Sequence, residues 1–578
     1  MAFRILPFFI FLFFLHDSWA SIIGDRKICG SFFLRTEGLF DLGLFSSNDL
    51  LLICGDPSVS GWENVPKNQS IYQIKTILRS KGHFKAEIIE EEDKTIVRPG
   101  EKSFIRKVIF RNDPPGFKDI VFRGYENQAI TPAALEKAKE WTRSRLRALG
   151  YACPKVHVKA DPIKEELYVE ISAGRKLKLV AVQRPRADEL KPSAFERKDA
   201  FKVGQTFNGD LLALTSRRLT ESDVAQFAYF DEECDPEGVR VDQKVTLAPP
   251  RTFLISFGAS TEELPIFQAE WKNSRLDDLG TNLSFKLYAS PRKQSIKAQS
   301  QLYWFESFPE FFLLPSAEVR RESEPTYEIL SQHFQWGLGH TNDDSRHRYA
   351  FGYTPSYTIE KTLDGEGPDN IQFFSFKTQA QMTSHYFEFY KATPQEGYEL
   401  SIGWEAQREG VGSPLSLDLF NFSGTYLMNL GKWDPPLTVL GFRFSHDVAL
   451  SSDLNEIPTS YRLFLGGAEN IRGFSRKSIN NDNQGYLTTS YLGVEARFLE
   501  VLPYKVQPFV FMDAGKVSQA SWTFGESTYT SPGVGVRWQS PLGALRGTVA
   551  KGRILNKEVD APQPKEEWNF YLSYGQEF

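Results

Sequence analysis

The run Ser445-His446-Asp447 places a nucleophile, a base and an acid in sequence. A serine hydrolase needs these three residue types to converge on one substrate carbonyl. The surrounding residues alternate as in a β-strand, so His446 points to the face opposite Ser445 and Asp447. The run therefore cannot form a catalytic triad. The sequence also contains neither G-x-S-x-G nor G-x-G-x-x-G.

A zinc site is the second chemistry to consider. Cys153 and His157 lie four residues apart on a predicted strand, about 13 Å from each other, which is too far to share one zinc ion. We therefore predict no catalytic residue, metal or cofactor, and the chain is not expected to be an enzyme.

The four cysteines all lie in the first half of the chain. Cys29 and Cys54 are the preferred disulfide pair, and buried free thiols are the alternative.

The glycine-rich stretch "FLGGAENIRGFSRKS", Phe464–Ser478, carries Arg472. In the two strand-like segments that follow it, alternation turns Glu495 and Asp513 toward the same side, away from lipid. An arginine on a loop that folds inward can bind both carboxylates through charge-assisted hydrogen bonds. For an arbitrary loop, a solvated arginine is the alternative. Phe509 and Phe511 share the inner face, which favours a plugged lumen over an open water channel.

Composition changes near Pro249-Pro250. Residues 251–578 hold 52 aromatic residues among 328, whereas residues 21–250 hold 21 among 230. The second part alternates with a period of two, and its length fits ~16 membrane strands. A soluble β-sandwich is the alternative, although it rarely needs so many strands in one unit. The clearest strand is the last, whose apolar face consists of Trp568, Phe570, Leu572, Tyr574 and Phe578.

The first part repeats a mixed α/β unit. "LRSKGHF" at Leu78–Phe84 and "LRALGYA" at Leu146–Ala152 each close a helix and are followed by two strands. A weaker third copy has Asp223 in place of the glycine. The sequence therefore predicts an α+β region of three repeats before an all-β barrel. The predicted domains are a signal peptide at 1–20, repeats at 21–100, 101–174 and 175–250, and a barrel at 251–578.

Export is indicated by Met1–Ala20, which has Arg4, an apolar stretch and a small-x-small end. The formal net charge of −5 does not suggest a nucleic-acid partner.

"NIRGF", "GVEARF", "FMDAG" and "GVGVRWQSPLGALR" together resemble the superfamily of outer-membrane insertases and transporters (the bacterial surface antigen type) that join periplasmic POTRA repeats to a sixteen-stranded barrel. The resemblance implies that the sixth extracellular loop folds into the barrel. There, the arginine of its Arg-Gly-aromatic motif meets acidic residues on the thirteenth and fourteenth strands. The matching positions here are Arg472, Gly473, Phe474, Glu495, Asp513 and Gly515. Phe578 matches the C-terminal insertion signal.

Three repeats resemble the TamA subfamily of the translocation and assembly module. That resemblance implies assembly of outer-membrane clients such as autotransporters, a TamB-like partner that spans the periplasm, and contact with outer-membrane lipid. A two-partner secretion transporter and a central barrel insertase are the alternatives. A passive porin is disfavoured by the plugged lumen and the periplasmic repeats.

The first and last barrel strands are expected to meet at a weak seam. Phe253, Ile255 and Phe257 face lipid on the first strand, and Gly575 on the last strand has no side chain to pack. A seam short of hydrogen bonds could open and template a client strand.

Overall fold

The computed structural model describes residues 24–36, 43–125, 127–185, 189–390, 395–451, 457–499, 501–540, 543–557 and 563–574. The predicted export signal, Gly575 and Phe578 lie outside these residues. The chain divides into two compact units. The first contains Met1–Pro115, Arg123–Arg145 and Pro154–Ala173, and the second contains Gly116–Phe122, Leu146–Cys153 and Gly174–Phe578.

Three α/β modules precede the barrel. The first contains β1 Gly24–Cys29, β2 Phe32–Thr36, α1 Ser47–Cys54, α2 Lys67–Ser80, β3 Glu87–Glu90 and β4 Thr95–Arg98. The second contains β5 Lys107–Arg111, β6 Val121–Phe122, α3 Pro132–Ala148, β7 Lys155–Asp161 and β8 Glu166–Ser172. The third contains β9 Leu179–Gln183, α4 Pro192–Glu196, α5 Gly209–Glu221, β10 Ala225–Cys234 and β11 Val239–Leu247.

The three modules share one sheet topology. In each, the strand before the helices pairs in parallel with the last strand, as β2 with β4, β5 with β8 and β9 with β11. The remaining strand pairs antiparallel with that last strand on its other edge. The first module adds β1 as an extra edge strand. The predicted order of strand, helices, strand and strand is therefore present three times.

The helix ends explain why the repeat is visible in the sequence. Two residues after α2, α3 and α5, the backbone turns left-handed at Gly82 (φ 94°), Gly150 (φ 100°) and Asp223 (φ 58°). In each copy the next backbone N–H then donates to a carbonyl five residues earlier, at distances of 2.8, 3.0 and 3.2 Å. This is the Schellman arrangement that terminates helices. Asp223 thus performs the role of the missing glycine in the third copy.

Two disulfides lie in the modules. Cys29 is bonded to Cys54, the preferred pair, and joins β1 to the end of α1. Cys153 is bonded to Cys234 at the end of β10. Each bridge borders an apolar core, the first formed around Ile53, Ile74 and Leu78 and the second around α5. The alternative of buried free thiols is therefore wrong.

Residues 251–574 form a closed antiparallel barrel of sixteen strands, with β27 and β28 counted as one interrupted strand. The elements in chain order are β12 Arg251–Ser260, β13 Ile266–Asn273, β14 Asn282–Ala289, β15 Lys293–Gln301, β16 Phe311–Glu324, β17 Tyr327–Asp343, β18 His347–Gly365, β19 Asn370–Ser384, α6 His385–Phe389, β20 Gly397–Gln407, β21 Leu417–Leu430, β22 Trp433–Asp434, β23 Thr438–Leu450, β24 Thr488–Phe498, β25 Val506–Ser518, β26 Thr528–Ser540, β27 Gly543–Lys551, β28 Arg553–Leu555 and β29 Trp568–Tyr574. The short β22 pairs with β6 instead of joining the barrel.

Alternation along the strands gives the barrel an apolar outside and a polar inside. On β29, Trp568, Phe570 and Leu572 are exposed on the outer face, at 68%, 63% and 48%. Asn569 and Tyr571 face the lumen, where they contact the connection between β23 and β24. An exposed apolar belt of this kind is the surface that a bilayer covers. Among the described residues, no helix has the length and apolar character to cross a membrane.

The barrel closes where its first and last strands, β12 and β29, meet. β12 pairs with β13 along Arg251–Gly258, and β27 pairs with β29 from Leu545 to Lys551. Between β12 and β29, in contrast, the described register contains the pairs Ala259–Tyr574 and Ser260–Ser573. One further backbone bond joins Thr261 N to Leu572 O at 2.9 Å. The described seam therefore occupies only one end of β12.

Candidate functional site: the loop lock in the barrel lumen

The connection between β23 and β24 folds back into the barrel. Its described part, residues 457–487, is anchored by apolar side chains that pack against inward residues of the wall. This cluster consists of Leu465, Ile471, Phe474, Ile479, Tyr486, Tyr491, Val517, Tyr529 and Ile554. Phe474 is fully buried, with its ring centroid 5.8 Å from that of Tyr529. Burial of this apolar surface holds the loop inside the lumen.

Arg472 is bound to Asp513 on β25 by two parallel hydrogen bonds. Its Nε donates to Oδ2 at 2.9 Å, and its Nη2 donates to Oδ1 at 2.8 Å. The backbone N–H of Arg472 donates to the same carboxylate at 3.2 Å. Asp513 is fully buried and Arg472 is 4% exposed. Each charge therefore depends on the other, because a buried charge without its partner is costly.

Glu495 on β24 is the second acidic partner. Arg472 Nη1 donates to its Oε2 at 2.9 Å. Arg497 and Arg546 also donate to this carboxylate, at 2.7 and 2.9 Å. Counted from β12, Glu495 lies on the twelfth barrel strand and Asp513 on the thirteenth. The expected positions on the thirteenth and fourteenth strands are therefore wrong by one, because the loop leaves the barrel after the eleventh strand.

Aromatic and glycine residues complete the surroundings of Arg472. Its guanidinium carbon lies 3.3 Å from the ring centroid of Phe511, a cation–π contact. A Cβ at Gly473 would lie 2.4 Å from Gly552 N, and one at Gly515 would lie 2.4 Å from Ile471 Cδ1. The backbone of the wall thus leaves no room for a side chain at Gly473, whereas a side chain at Gly515 would have to displace that of Ile471.

The loop also contacts both sides of the seam. On the β29 side, Asn569 Nδ2 donates to Gly473 O at 2.7 Å and Tyr571 Oη donates to Phe474 O at 2.8 Å. On the β12 side, Glu262 in the turn before β13 accepts from Ala468 N at 3.2 Å. We use the term loop lock for Arg472–Phe474 with Glu495, Asp513, Asn569 and Tyr571. Through Ala468 and the loop lock, one loop spans the junction of the first and last strands.

A second ion pair holds the loop to the hairpin formed by β16 and β17. Arg476 Nε and Nη2 donate to the two carboxylate oxygens of Glu324 at 2.8 and 2.6 Å. Lys477 Nζ donates to Tyr327 Oη at 2.6 Å. Glu324 ends β16 and Tyr327 begins β17. These contacts fix the far arm of the loop, so the loop is held at several points around the barrel.

The two enzymatic candidates are not assembled. His446 lies on the outer face of β23, where its Nδ1 is 2.8 Å from Oγ of Ser490 on β24. Asp447, in contrast, faces the lumen and accepts a hydrogen bond from Asn421. The Cys153 sulfur is bonded to Cys234, so it is not available as a zinc ligand. Within the described ranges, no group of three His, Cys, Asp or Glu side chains could hold a metal ion.

Sequence reasoning missed several residues of the site. Asn569 and Tyr571 lie on the inner face of the last strand, where alternation places polar residues in any barrel. Arg497 and Arg546 likewise alternate inward. The available signal was this alternation, which assigns a face but does not identify which inward residues meet the loop.

Residues 255–578 match the family model described as the Omp85 superfamily domain. The chain is 27% identical over 154 residues to the outer membrane protein assembly factor BamA of Nitratidesulfovibrio vulgaris. That match covers 25% of this chain and 19% of the relative, so the chain spans about a fifth of the curated protein that it matches.

The chain is also similar to solved structures. The crystal structure of BamA from Haemophilus ducreyi lacking POTRA domains 1–3 has a TM-score of 0.51 and 15% identity, and the match covers 82% of this chain and 99% of that one. CdiB from Acinetobacter baumannii has a TM-score of 0.45 and 14% identity, with 85% and 91% covered. The first likeness supports a shared fold.

Proposed function

The chain belongs to the Omp85 superfamily, and from that premise we propose that it is a TamA-like translocation and assembly factor, which helps β-barrel proteins such as autotransporters to enter the outer membrane. Its barrel lies in the outer membrane of a Gram-negative bacterium, and its α/β modules lie in the periplasm. The work of such a protein is mechanical rather than bond chemistry. It lowers the barrier that a client strand meets when its backbone enters lipid.

The junction of the first and last strands, which the loop lock bridges, is the observation that carries this proposal. Lipid offers no hydrogen-bond partners, so an unpaired strand edge in the bilayer must be brief or must receive another strand. Only Ala259 and Ser260 of β12 pair with the described part of β29. When the junction opens, a client strand that adds to the freed edge of β12 would gain backbone hydrogen bonds that it cannot obtain from lipid.

The loop lock supplies a control on that opening. Asn569 and Tyr571 hold the loop on the β29 side, while Glu262 holds it on the β12 side. Separation of the two strands therefore requires one of these sets of contacts to break. We infer that the lock keeps the empty barrel closed and that client binding offsets the loss of its contacts.

The periplasmic modules offer strand edges for earlier contact with clients. β10 is an edge strand of the third module, since the sheet order is β10-β11-β9. Phe227 and Tyr229 on β10 are 64% and 56% exposed. An extended client segment could add to this edge, with main-chain bonds for affinity and these aromatic side chains for contact. A TamB-like, periplasm-spanning subunit and outer-membrane lipid are the further proposed partners.

Reconstitution provides the test of this function. The purified protein in liposomes should accelerate folding of an unfolded autotransporter barrel, measured as the client fraction whose gel mobility changes on heating. Liposomes without protein and liposomes with a passive porin are the controls. If folding is no faster than in both controls while a dedicated secreted substrate crosses the membrane, two-partner secretion becomes the better account.

A further inference from the structure

A cavity of about 410 Å³ lies inside the barrel beside the loop lock. Six arginines line it: Arg348, Arg443, Arg472, Arg497, Arg537 and Arg546. The acidic residues of its described lining are Glu388, Glu399 and Glu495. The walls described in the structure thus contain twice as many cationic as anionic side chains.

The arrangement of the cations is as informative as their number. Arg537 and Arg546 stand directly opposite each other on β26 and β27, and both face the lumen. Like charges in such a cross-strand pair repel each other. Arg497 and Arg546 both donate to Glu495, which Arg472 also binds. The Glu495 carboxylate is therefore shared by three guanidinium groups. Of these three, Arg472 is the one that also binds Asp513.

Burial makes this concentration of charge costly. The side chains of Arg497 and Arg546 are 15% and 11% exposed, and Arg537 is 8% exposed. Repulsion between cations is screened far less at such sites than at an open surface. A bound anion between the guanidinium groups would relieve it. The five donors of each planar guanidinium match the oxygen atoms of a phosphate.

We propose that this arginine cavity binds a phosphate group, with Arg497, Arg537 and Arg546 as its principal donors. A volume of about 410 Å³ suits a small ligand or a single head group. Inorganic phosphate and the phosphomonoester of a lipid head group present the same chemistry. Glu495 is shared between these donors and Arg472, so phosphate binding is coupled to the loop lock.

Titration calorimetry on the full-length protein in detergent tests the site in phosphate-free buffer. One arm uses inorganic phosphate, and the other uses a short-chain phosphatidic acid, with the matching phosphatidylcholine as its control. Arg497→Gln and Arg537→Gln should each weaken binding about tenfold or more, since each removes charge-assisted bonds. Arg321→Gln is the matched control, because Arg321 is paired with Glu328 outside this cavity.

The outcomes separate clearly. Saturable binding that both cavity variants weaken and Arg321→Gln preserves supports the site, and the tighter arm identifies the source of the phosphate. Wild-type protein that binds in neither arm, or equal binding by all variants, overturns the proposal. Gel mobility before and after heating verifies that each variant is folded. If one cavity variant is not folded, the comparison of the other cavity variant with Arg321→Gln decides.

Discussion

Arg472 meets its partners through the geometry that makes ion pairs strong in a protein interior. A bidentate bond to Asp513 and a third bond to Glu495 satisfy its guanidinium group, and Phe511 covers one face. No comparable arrangement holds Arg408, whose side chain is 41% exposed beside Asp418. Exposed pairs of that kind contribute about 0–1 kcal/mol. The two arginines therefore make a matched pair for mutation.

Arg472→Ala should leave the barrel folded and loosen the loop. Loss of one partner of a buried pair costs about 3–5 kcal/mol, and this cost falls on the loop that Arg472 anchors. Limited proteolysis should therefore cut the loop faster than in wild type, and client folding in liposomes should decline. Arg408→Ala should change neither result.

Charge reversal at Asp513 tests the same contact from the other side. Asp513→Lys places a cation beside Arg472 in a fully buried position, so its loop should be as sensitive to protease as that of Arg472→Ala. Wild-type sensitivity in both variants would mean that the arginine does not hold the loop.

How much of this site the sequence predicts depends on what alternation can specify. Alternation assigns Glu495 and Asp513 to the inner face, and Arg472 in the glycine-rich loop indicates their partner. Alternation also assigns Asn569 and Tyr571 inward, but their bonds to the loop depend on how deeply the loop enters. That depth is decided by apolar packing around Phe474, which no local pattern reports.

At the scale of elements, the repeated modules were predictable where a glycine terminates the helix. Gly82 and Gly150 terminate the helix in the first two copies. In the third copy Asp223 adopts the same left-handed backbone although it is not a glycine. The sequence similarity of the third copy to the other two is therefore weaker, although its fold is the same. The Cys153–Cys234 bridge joins two distant positions in the chain, and only the fold determines which cysteines meet.

Each disulfide should stabilise the segments that it joins, Cys29–Cys54 within the first module and Cys153–Cys234 between the second and third. Replacement of Cys29 and Cys54 by serine removes a cross-link worth about 2–5 kcal/mol in small exported domains. Hydrogen exchange on the full-length protein should show faster exchange in α1, which ends at Cys54, with β10 unchanged. The Cys153→Ser/Cys234→Ser variant is the matched control and should show the opposite pattern. Equal effects of both variants on both regions would contradict independent stabilisation.

At the scale of the whole molecule, the barrel exposes an apolar outer face and encloses a charged lumen. The strand number was predictable from length and alternation, because about ten residues cross a bilayer as one strand. The weak seam stays a prediction, since Gly575, on which it was based, lies outside the described residues. Its extent depends on the stagger of the strands, which the sequence does not state.

The purified protein should require detergent and should migrate faster on gels before heating than after it. Closed barrels resist unfolding by detergent at room temperature because all their strands are paired around the ring. Gel mobility with and without heating measures this directly. Full solubility without detergent, together with unchanged mobility, would contradict a membrane barrel.

The central claim is that the seam between β12 and β29 must open. Ser260 and Ser573 stand opposite each other across it, so Ser260→Cys/Ser573→Cys can lock it with little change in volume. Ala298→Cys/Ala317→Cys, across β15 and β16, which pair continuously from Lys293 to Gln299, is the matched control. Client folding in liposomes should stop when the seam is oxidised and recover on reduction, while the control pair should work in both states. If the locked seam assembles clients as fast as the reduced one, lateral opening is not the mechanism and passage through the lumen takes its place.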